Sequence, residues 1–155
     1  MKLNLQDSES VAEHSYMMSV MAMVMADLKN LNTEKILKMT ILHDWAESKI
    51  GDFMPDEITI EKKTELEEYA MTEILDELPP TIKDNYFDIW NDYKENLSNE
   101  ARFVHELDKL EMALQGKIYE KETDPEKIKP FLISAVEKIA DDELKKILIG
   151  ILEKK

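Results

Sequence analysis

The sequence predicts an all-α helical bundle, and three observations support that fold class. Glycine and proline are scarce, with 3 and 5 among 155 residues, whereas folds built from strands and tight turns use more of both. Hydrophobic residues make up 43% of the chain and charged residues 35%, and apolar residues recur at helical spacing along most segments. Capping residues and prolines separate these segments, and no repeat or low-complexity linker divides the chain. We therefore expect one domain that covers residues 1–155.

Capping residues and prolines also place the individual helices. Ser10-Val11-Ala12-Glu13 is a capping box, in which the Ser and Glu side chains satisfy free backbone N–H groups at a helix start. Later boundaries are marked by Asn32-Thr33, Gly51, Thr59, Pro79-Pro80, Ser98 and Asp124-Pro125. The predicted helices cover residues 11 to about 30, 34–50, 60–78, 82–95 and 99–121, followed by a segment from 125 that Pro130 interrupts, 131–140 and 141–152. The core-facing side of the first helix is expected to include His14, Met17, Met18, Met21, Val24, Met25 and Leu28.

Composition excludes several classes of function. The chain carries 34 acidic and 20 basic residues, a formal charge of −14, which argues against broad contact with a nucleic-acid backbone. A metal and a few local cations can still hold one small phosphorylated substrate in an acidic protein. There is no cysteine, and therefore no disulfide, thiolate zinc site or cysteine nucleophile. No apolar run is long enough for a membrane span and no signal peptide is visible, so a cytoplasmic protein is expected.

The most informative stretch is Met39–Glu47, in which His43 and Asp44 stand side by side within a mostly apolar helical run. Glu47 follows one turn after Asp44 on the same side, since residues three or four apart are neighbours on a helix. Acidic groups on a buried helix face need a partner of opposite charge, and a divalent cation is the simplest one. His14 and Asp108 lie at inward positions on two other predicted helices. We therefore expect these two to complete a metal site with His43 and Asp44.

Three of the candidate residues have a plain structural alternative. His14 taken alone is compatible with a core histidine that has a hydrogen-bond partner. Asp52 is close enough in sequence to reach the same site, and a solvated loop aspartate is an equally good interpretation. His105 lies one turn before Asp108, where a surface residue or a support behind the ligands is the better interpretation than an extra ligand.

Two histidines and two aspartates form a mixed nitrogen and oxygen donor set. Such a set suits Mn, Co, Ni, Zn or Fe and offers too few oxygens for calcium. A divalent ion held in this way polarises a phosphoryl group and lowers the pKa of bound water. Glu47 and Asp52 would then position the water and move protons. The residues thus point to metal-assisted hydrolysis of a phosphate ester.

The ordered pattern of one His, a His-Asp pair and a distant Asp resembles the HD-domain metal-dependent phosphohydrolases. The resemblance is greatest to the branch of 5′-deoxynucleotidases and their HD-domain-containing relatives. The segments that carry it are Glu9-Ser10-Val11-Ala12-Glu13-His14-Ser15, Leu42-His43-Asp44-Trp45-Ala46-Glu47, Ile50-Gly51-Asp52 and Leu107-Asp108-Lys109-Leu110-Glu111-Met112, together with residues 61–78 and Trp90-Asn91-Asp92-Tyr93. They are spread over most of the chain.

The resemblance implies a function and a set of residue roles. Its implied metal ligands are His14, His43, Asp44 and Asp108, around one divalent ion. Glu47 would be the catalytic carboxylate that orients or activates water, and Asp52 would contact the nucleotide and help proton transfer. The implied reaction converts a deoxynucleoside 5′-monophosphate into a deoxynucleoside and phosphate. A homodimer of all-helical subunits is also implied.

One departure from the branch concerns its usual helix before the first His, which carries an Arg followed closely by a Trp. The thirteen residues before His14 contain neither, and Arg102 on the fifth predicted helix does not correspond to that Arg. Either the chain is a shortened version of the branch, or the metal and lysine residues hold the phosphate in place of that Arg. Lys109, next to Asp108, is a candidate for this cation, and a surface position is an equally good interpretation. The alternatives are a phosphohydrolase that acts on another nucleotide or small phosphate ester, and a metal-dependent nucleotide-binding module without turnover.

Overall fold

A computed structural model describes residues 9–51, 58–120 and 124–153, and every regular element in these ranges is a helix. The helices are α1 (Val11–Lys29), α2 (Thr33–Leu42), α3 (Glu47–Ile50), α4 (Ile60–Asp76), α5 (Pro80–Glu95), α6 (Asn99–Tyr119), α7 (Pro125–Lys138) and α8 (Asp142–Glu153). The all-α class predicted from the sequence is therefore confirmed.

The predicted caps form at the predicted places. Ser10 and Glu13 form a complete capping box at the start of α1, and the Ser98 hydroxyl accepts the Ala101 N–H at the start of α6. Asn30 ends α1 in the left-handed conformation (φ 54°), which asparagine tolerates better than most residues. Local capping chemistry thus sets most helix boundaries, because it satisfies backbone groups that a helix leaves open at its ends.

The predicted helix over residues 34–50 is wrong in one respect, since the chain leaves α2 at Leu42 and re-enters a helix only at Glu47. The Nδ1 atom of His43 lies 2.6 Å from the Thr40 carbonyl oxygen, the acceptor that an unbroken helix would offer to the Asp44 N–H. The following turns tighten to three-residue spacing, as in the bond of 3.1 Å from Trp45 N–H to Leu42 O. The His43 side chain therefore competes with the Asp44 N–H for the Thr40 carbonyl oxygen at this point of the helix.

The predicted interruption at Pro130 is also wrong. α7 runs through Pro130 without a break. A proline inside a helix removes one backbone hydrogen bond and typically costs about 3 kcal/mol. Ile128 and Ala135 on either side of it are fully buried, and α7 packs along α6. Burial of this helix face against α6 offsets the cost of the proline.

The helix α6 is the central element of the bundle. It contacts α1, α2, α5, α7 and α8, and its inward residues Val104, Leu107 and Leu110 are fully buried. One hydrophobic core includes buried residues from all described helices except the short α3. The first turn of α1, the end of α2 and the middle of α6 meet at one side of this core.

The inward side of α1 differs from the predicted one. Met18, Ala22 and Ala26 are buried, whereas Met17, Val24 and Leu28 are exposed by 39%, 50% and 69%. Since apolar residues occur all round this helix, periodicity alone does not identify the side that packs. The small alanines lie against the neighbouring helices because α1 packs closely on α2 and α6.

Candidate metal centre

Three of the four residues predicted as metal ligands offer donor atoms that lie within 4.8 Å of one another. They are His14 in the first turn of α1, His43 directly after α2, and Asp108 in the middle of α6. The fourth, Asp44, follows His43 in the tightened turn. Its Oδ2 atom lies 3.1 Å from His43 Nε2 and 3.6 Å from His14 Nε2. Asp108 Oδ1 lies 3.4 Å from His14 Nε2. The structure therefore brings all four together.

Hydrogen bonding determines which nitrogen of His43 can bind a cation. A carbonyl oxygen only accepts hydrogen bonds, so Nδ1, 2.6 Å from Thr40 O, carries the proton. In the neutral ring this leaves a lone pair on Nε2. That atom is buried and has no hydrogen-bond partner among the described residues, although Asp44 is near. A lone pair facing a carboxylate is unfavourable unless a cation lies between them, so the donor set fits a metal ion.

Glu111 completes the arrangement around His14, and the sequence did not single it out as a functional residue. Its Oε2 atom lies 2.7 Å from His14 Nδ1, and its side chain is only 1% exposed. This contact directs His14 Nε2 toward Asp44 and Asp108. The available signal was its position three residues after Asp108, which puts both carboxylates on one face of α6.

Negative charge exceeds positive charge around His14. Burial lowers the pKa of His14, but hydrogen bonds and charges of Asp108 and Glu111 outweigh it and raise that pKa to about 10. Burial and the Glu111 carboxylate raise the pKa of Glu9 to about 7. Burial opposes the charged form of Asp108, but His14 and Lys109 bring its pKa well below the ordinary value. A site that attracts a proton this strongly also attracts a divalent cation.

Glu47, the predicted catalytic carboxylate, is the first residue of α3 and is largely buried. Lys63 on α4 places its Nζ atom 3.3 Å from Glu47 Oε1 and 3.4 Å from a Glu67 carboxylate oxygen. Lys63 thus places a positive charge beside the Glu47 and Glu67 carboxylates. Asp52, the other predicted catalytic residue, lies outside the described residues.

His105 lies behind the cluster. Its Nε2 atom is 2.8 Å from the Tyr93 carbonyl oxygen, and its ring stacks on the Tyr93 ring at 4.1 Å. Tyr93 in turn meets the His43 ring edge-on at 5.5 Å. These contacts place His105 one ring away from His43, in keeping with the supporting position favoured from the sequence.

The Nζ atom of Lys109, the predicted phosphate-binding cation, lies 2.6 Å from Asp108 Oδ2.

Comparison with known families assigns the class of this fold and site. The HD domain family matches residues 1–148. The chain belongs to the HD domain family.

Individual relatives cover most of the chain. The 5′-deoxynucleotidase HDDC2 of Mus musculus is 38% identical over 143 residues, which is 91% of this chain and 71% of the mouse protein. The 5′-deoxynucleotidase YGK1 of Saccharomyces cerevisiae is 31% identical over 150 residues, 94% of this chain and 69% of that protein. Among solved structures, the PH0347 protein of Pyrococcus horikoshii superimposes with a TM-score of 0.76 at 30% identity, covering 96% of this chain and 83% of that one.

Within the described ranges, no helix combines the length and the apolar character that crossing a bilayer requires.

Proposed function

We propose that this chain is a metal-dependent 5′-deoxynucleotidase that hydrolyses deoxynucleoside 5′-monophosphates to a deoxynucleoside and phosphate. One observation carries the proposal: two histidine Nε2 atoms and two aspartate carboxylates converge, and both Nδ1 atoms are held by other groups. The relatives described above, which are named 5′-deoxynucleotidases, support the reaction and the substrate class.

In this proposal His14, His43, Asp44 and Asp108 hold one divalent cation. When bound, such an ion supplies Lewis acidity toward a phosphoryl oxygen and toward the attacking water. The Thr40 carbonyl accepts the His43 Nδ1–H, and Nε2 of that ring faces Asp44, where it could bind the cation. The side chains of Asp44 and Asp108 are 21% and 14% exposed, so the edge of the cluster is in contact with solvent. Mn, Co, Ni, Zn and Fe all suit this donor set.

Glu47 is the proposed proton acceptor for the attacking water, and Asp52 is proposed to contact the nucleotide. The Lys63 ammonium group lies 3.3 Å from Glu47 Oε1 and helps to hold that side chain in position. Lys109, which contacts Asp108, is proposed to supply positive charge for the phosphate.

The remaining parts of the proposal are a single domain over residues 1–155, a homodimer and a cytoplasmic location. Apolar side chains on the outer sides of α1 and α5, such as Val20, Val24 and Phe87, are at least 40% exposed and support contact between two copies.

Phosphate release from a panel of nucleoside monophosphates tests the proposed reaction. The protein would be stripped with a chelator and reloaded with Mn, Co, Ni or Zn in turn. We expect metal-dependent release from deoxynucleoside 5′-monophosphates, and slower release from ribonucleotides. Faster release from another phosphate ester would reassign the substrate. No release from any substrate by a folded, metal-loaded protein would reject the enzyme and leave a nucleotide-binding role.

A matched pair of variants tests the role of Glu47. Glu47→Gln keeps the size of the side chain and removes its basicity, so we expect kcat to fall by roughly 10² to 10⁴-fold. Metal content measured by elemental analysis should stay at the wild-type level. Glu67→Gln is the control, because Glu67 also contacts Lys63 from α4. Full turnover in a folded Glu47→Gln variant would remove Glu47 from the mechanism.

A further inference from the structure

We propose that Glu111 is a positioning residue that holds His14 with its Nε2 atom directed at the metal. The inference rests on the proposed metal centre and deepens it. Glu111 lies one turn after Asp108 on α6, so a single helix presents one carboxylate to the ion and a second carboxylate to the ring behind it. His14 comes from the opposing helix α1, and its two ring nitrogens face these two groups.

The burial of Glu111 is difficult to explain by packing alone. Its side chain is 1% exposed, and Leu110 and Ala113 beside it on α6 are fully buried. A buried carboxylate is unfavourable by several kcal/mol unless its oxygens are paired. An apolar side chain of similar size, such as Met or Leu, would therefore pack more favourably at this position. Oε2 contacts His14 Nδ1 at 2.7 Å, whereas buried Oε1 has no hydrogen-bond partner among the described residues. Among the described contacts of Glu111, the one with His14 therefore accounts for a carboxylate at this position.

His43 provides an internal comparison. Its Nδ1 atom is held by the Thr40 backbone carbonyl at 2.6 Å, and its Nε2 atom points to the same group of carboxylates. The two rings thus follow one pattern with different acceptors. A backbone carbonyl is neutral and fixed by its helix, whereas Glu111 is charged and can be changed by mutation. A charged acceptor also makes Nε2 of the ring a stronger donor to a metal.

A second interpretation makes Glu111 itself a ligand. Glu9, His14 and Glu111 also offer donor atoms within 4.8 Å of one another. Nδ1 is the His14 nitrogen that faces Glu111, at a hydrogen-bonding distance of 2.7 Å, whereas Nε2 lies 3.6 Å from Asp44 and 3.4 Å from Asp108. The geometry favours Nε2 as the ligand atom and Glu111 as the acceptor behind it.

The test compares Glu111→Gln and Glu111→Met with the wild type. Gln retains an acceptor oxygen without the charge, and Met removes the acceptor while filling a similar volume. The readout is the dissociation constant for Zn and for Mn, measured by calorimetry on protein stripped with a chelator. We expect metal affinity to weaken about 10 to 100-fold in Glu111→Met, which is the range typical for loss of a group that orients a metal-bound His. The loss in Glu111→Gln should be smaller.

The control variant is Glu106→Gln on the same helix. Glu106 accepts the Ala140 and Asp141 N–H groups at 2.9 and 2.7 Å, and none of its described contacts involves His14. We expect this variant to lose thermal stability and to keep wild-type metal affinity. Metal affinity within twofold of wild type in a folded Glu111→Met variant would overturn the inference. Complete loss of stoichiometric metal in Glu111→Gln would instead make Glu111 a ligand.

A spectroscopic readout separates this inference from the nucleotidase proposal. In the zinc-loaded wild type, NMR should detect a His14 Nδ1 proton protected from exchange with water, and in Glu111→Met that protection should be lost. Neither measurement depends on turnover. A protein that binds zinc and releases no phosphate would reject the proposed reaction while leaving the Glu111 effect measurable. Unprotected Nδ1 in a zinc-loaded, folded wild type would reject the positioning role alone.

Discussion

Two acidic clusters lie beside α2 and α6, and the carboxylates of the two clusters have different partners. In the Asp92 cluster, formed by Asp92, Lys35 and Ser98, the carboxylate accepts hydrogen bonds from the Ser98 N–H at 2.9 Å and the Ser98 hydroxyl at 2.7 Å. Lys35 Nζ lies 2.6 Å from the same group. In the metal-site cluster, formed by His14, His43, Asp44 and Asp108, carboxylate oxygens face imidazole nitrogens at 3.1 to 3.6 Å, although Asp108 Oδ2 also lies 2.6 Å from Lys109 Nζ.

This difference in partners distinguishes Asp92, which has a structural role, from the aspartates of the proposed metal site. Burial opposes the charged form of Asp92, but Lys35 and Ser98 outweigh it and bring the pKa of Asp92 below its ordinary value. The Ser98 contacts of Asp92 join the end of α5 to the cap of α6, and the Lys35 contact joins α5 to α2. In the metal-site cluster, the buried Nε2 of His43 has no hydrogen-bond partner within the described ranges, and negative charge exceeds positive charge around His14. Such a donor set is suited to bind a cation, whereas the Asp92 cluster joins helices.

The largest expected contrast between the clusters is in catalysis. Asp108→Asn removes a proposed ligand, so we expect kcat/KM for a deoxynucleoside monophosphate to fall roughly thousandfold or more, about 4 kcal/mol of transition-state stabilisation. Asp92→Asn should stay within a fewfold of wild type when assayed below its unfolding temperature. Steady-state kinetics on the Mn-loaded proteins measures both. Similar losses in the two variants would contradict the division between the clusters.

The second contrast is the stability that comes from bound metal. A ligand that binds only the folded protein adds about 2.7 kcal/mol of unfolding free energy at a concentration one hundred times its Kd. We therefore expect chelator to lower the Tm of wild type and of Asp92→Asn by similar amounts. Asp108→Asn should respond little. Differential scanning calorimetry with and without chelator gives the comparison, and an equal chelator effect in all three proteins would argue against Asp108 as a ligand.

The smallest expected effect is the loss of the Asp92 cluster itself. Asp92→Asn removes charge-assisted hydrogen bonds to Lys35 and Ser98, which are worth about 1.5 to 3 kcal/mol each before compensation, and we expect a net loss of about 1 to 2 kcal/mol. Urea unfolding at pH 7 in the presence of chelator measures it.

The pH dependence of the Asp92 effect has a defined sign. The folded-state pKa of Asp92 is lower than its unfolded value, so its charged form stabilises the fold above the unfolded pKa. That contribution is lost as the pH falls through the folded value. The difference between wild type and Asp92→Asn should therefore shrink in acid, and a difference that grows below pH 4 would contradict this account.

The limits of prediction from sequence are visible at individual residues. Ser10, Asn32 and Ser98 act within three residues of themselves, so their caps could be predicted from local pattern alone. Pro130 was misleading, because packing of α7 on α6 outweighs a local preference. The end of α2 was missed because the His43 side chain bonds to the Thr40 carbonyl, a choice between two local partners that residue spacing does not reveal.

The candidate site shows the same division. His14, His43, Asp44 and Asp108 could be named from sequence, since charged and metal-binding residue types stood at apolar helix positions, and their role as ligands stays a prediction. Glu111 was missed because an acid on a helix has a solvated face as its ordinary explanation. Only the approach of α1 to α6 places its carboxylate 2.7 Å from His14, across 97 residues of chain.

The sequence by itself thus determined the helical class, most helix ends and the residues around which a metal centre is proposed, because these depend on composition and on neighbours within one or two turns. Only the folded structure shows which side of α1 is buried, that α2 ends at Leu42, and which nitrogen of each histidine faces the aspartates. These features depend on contacts between helices, or on one hydrogen bond chosen over another, and their energies arise only when the bundle is packed.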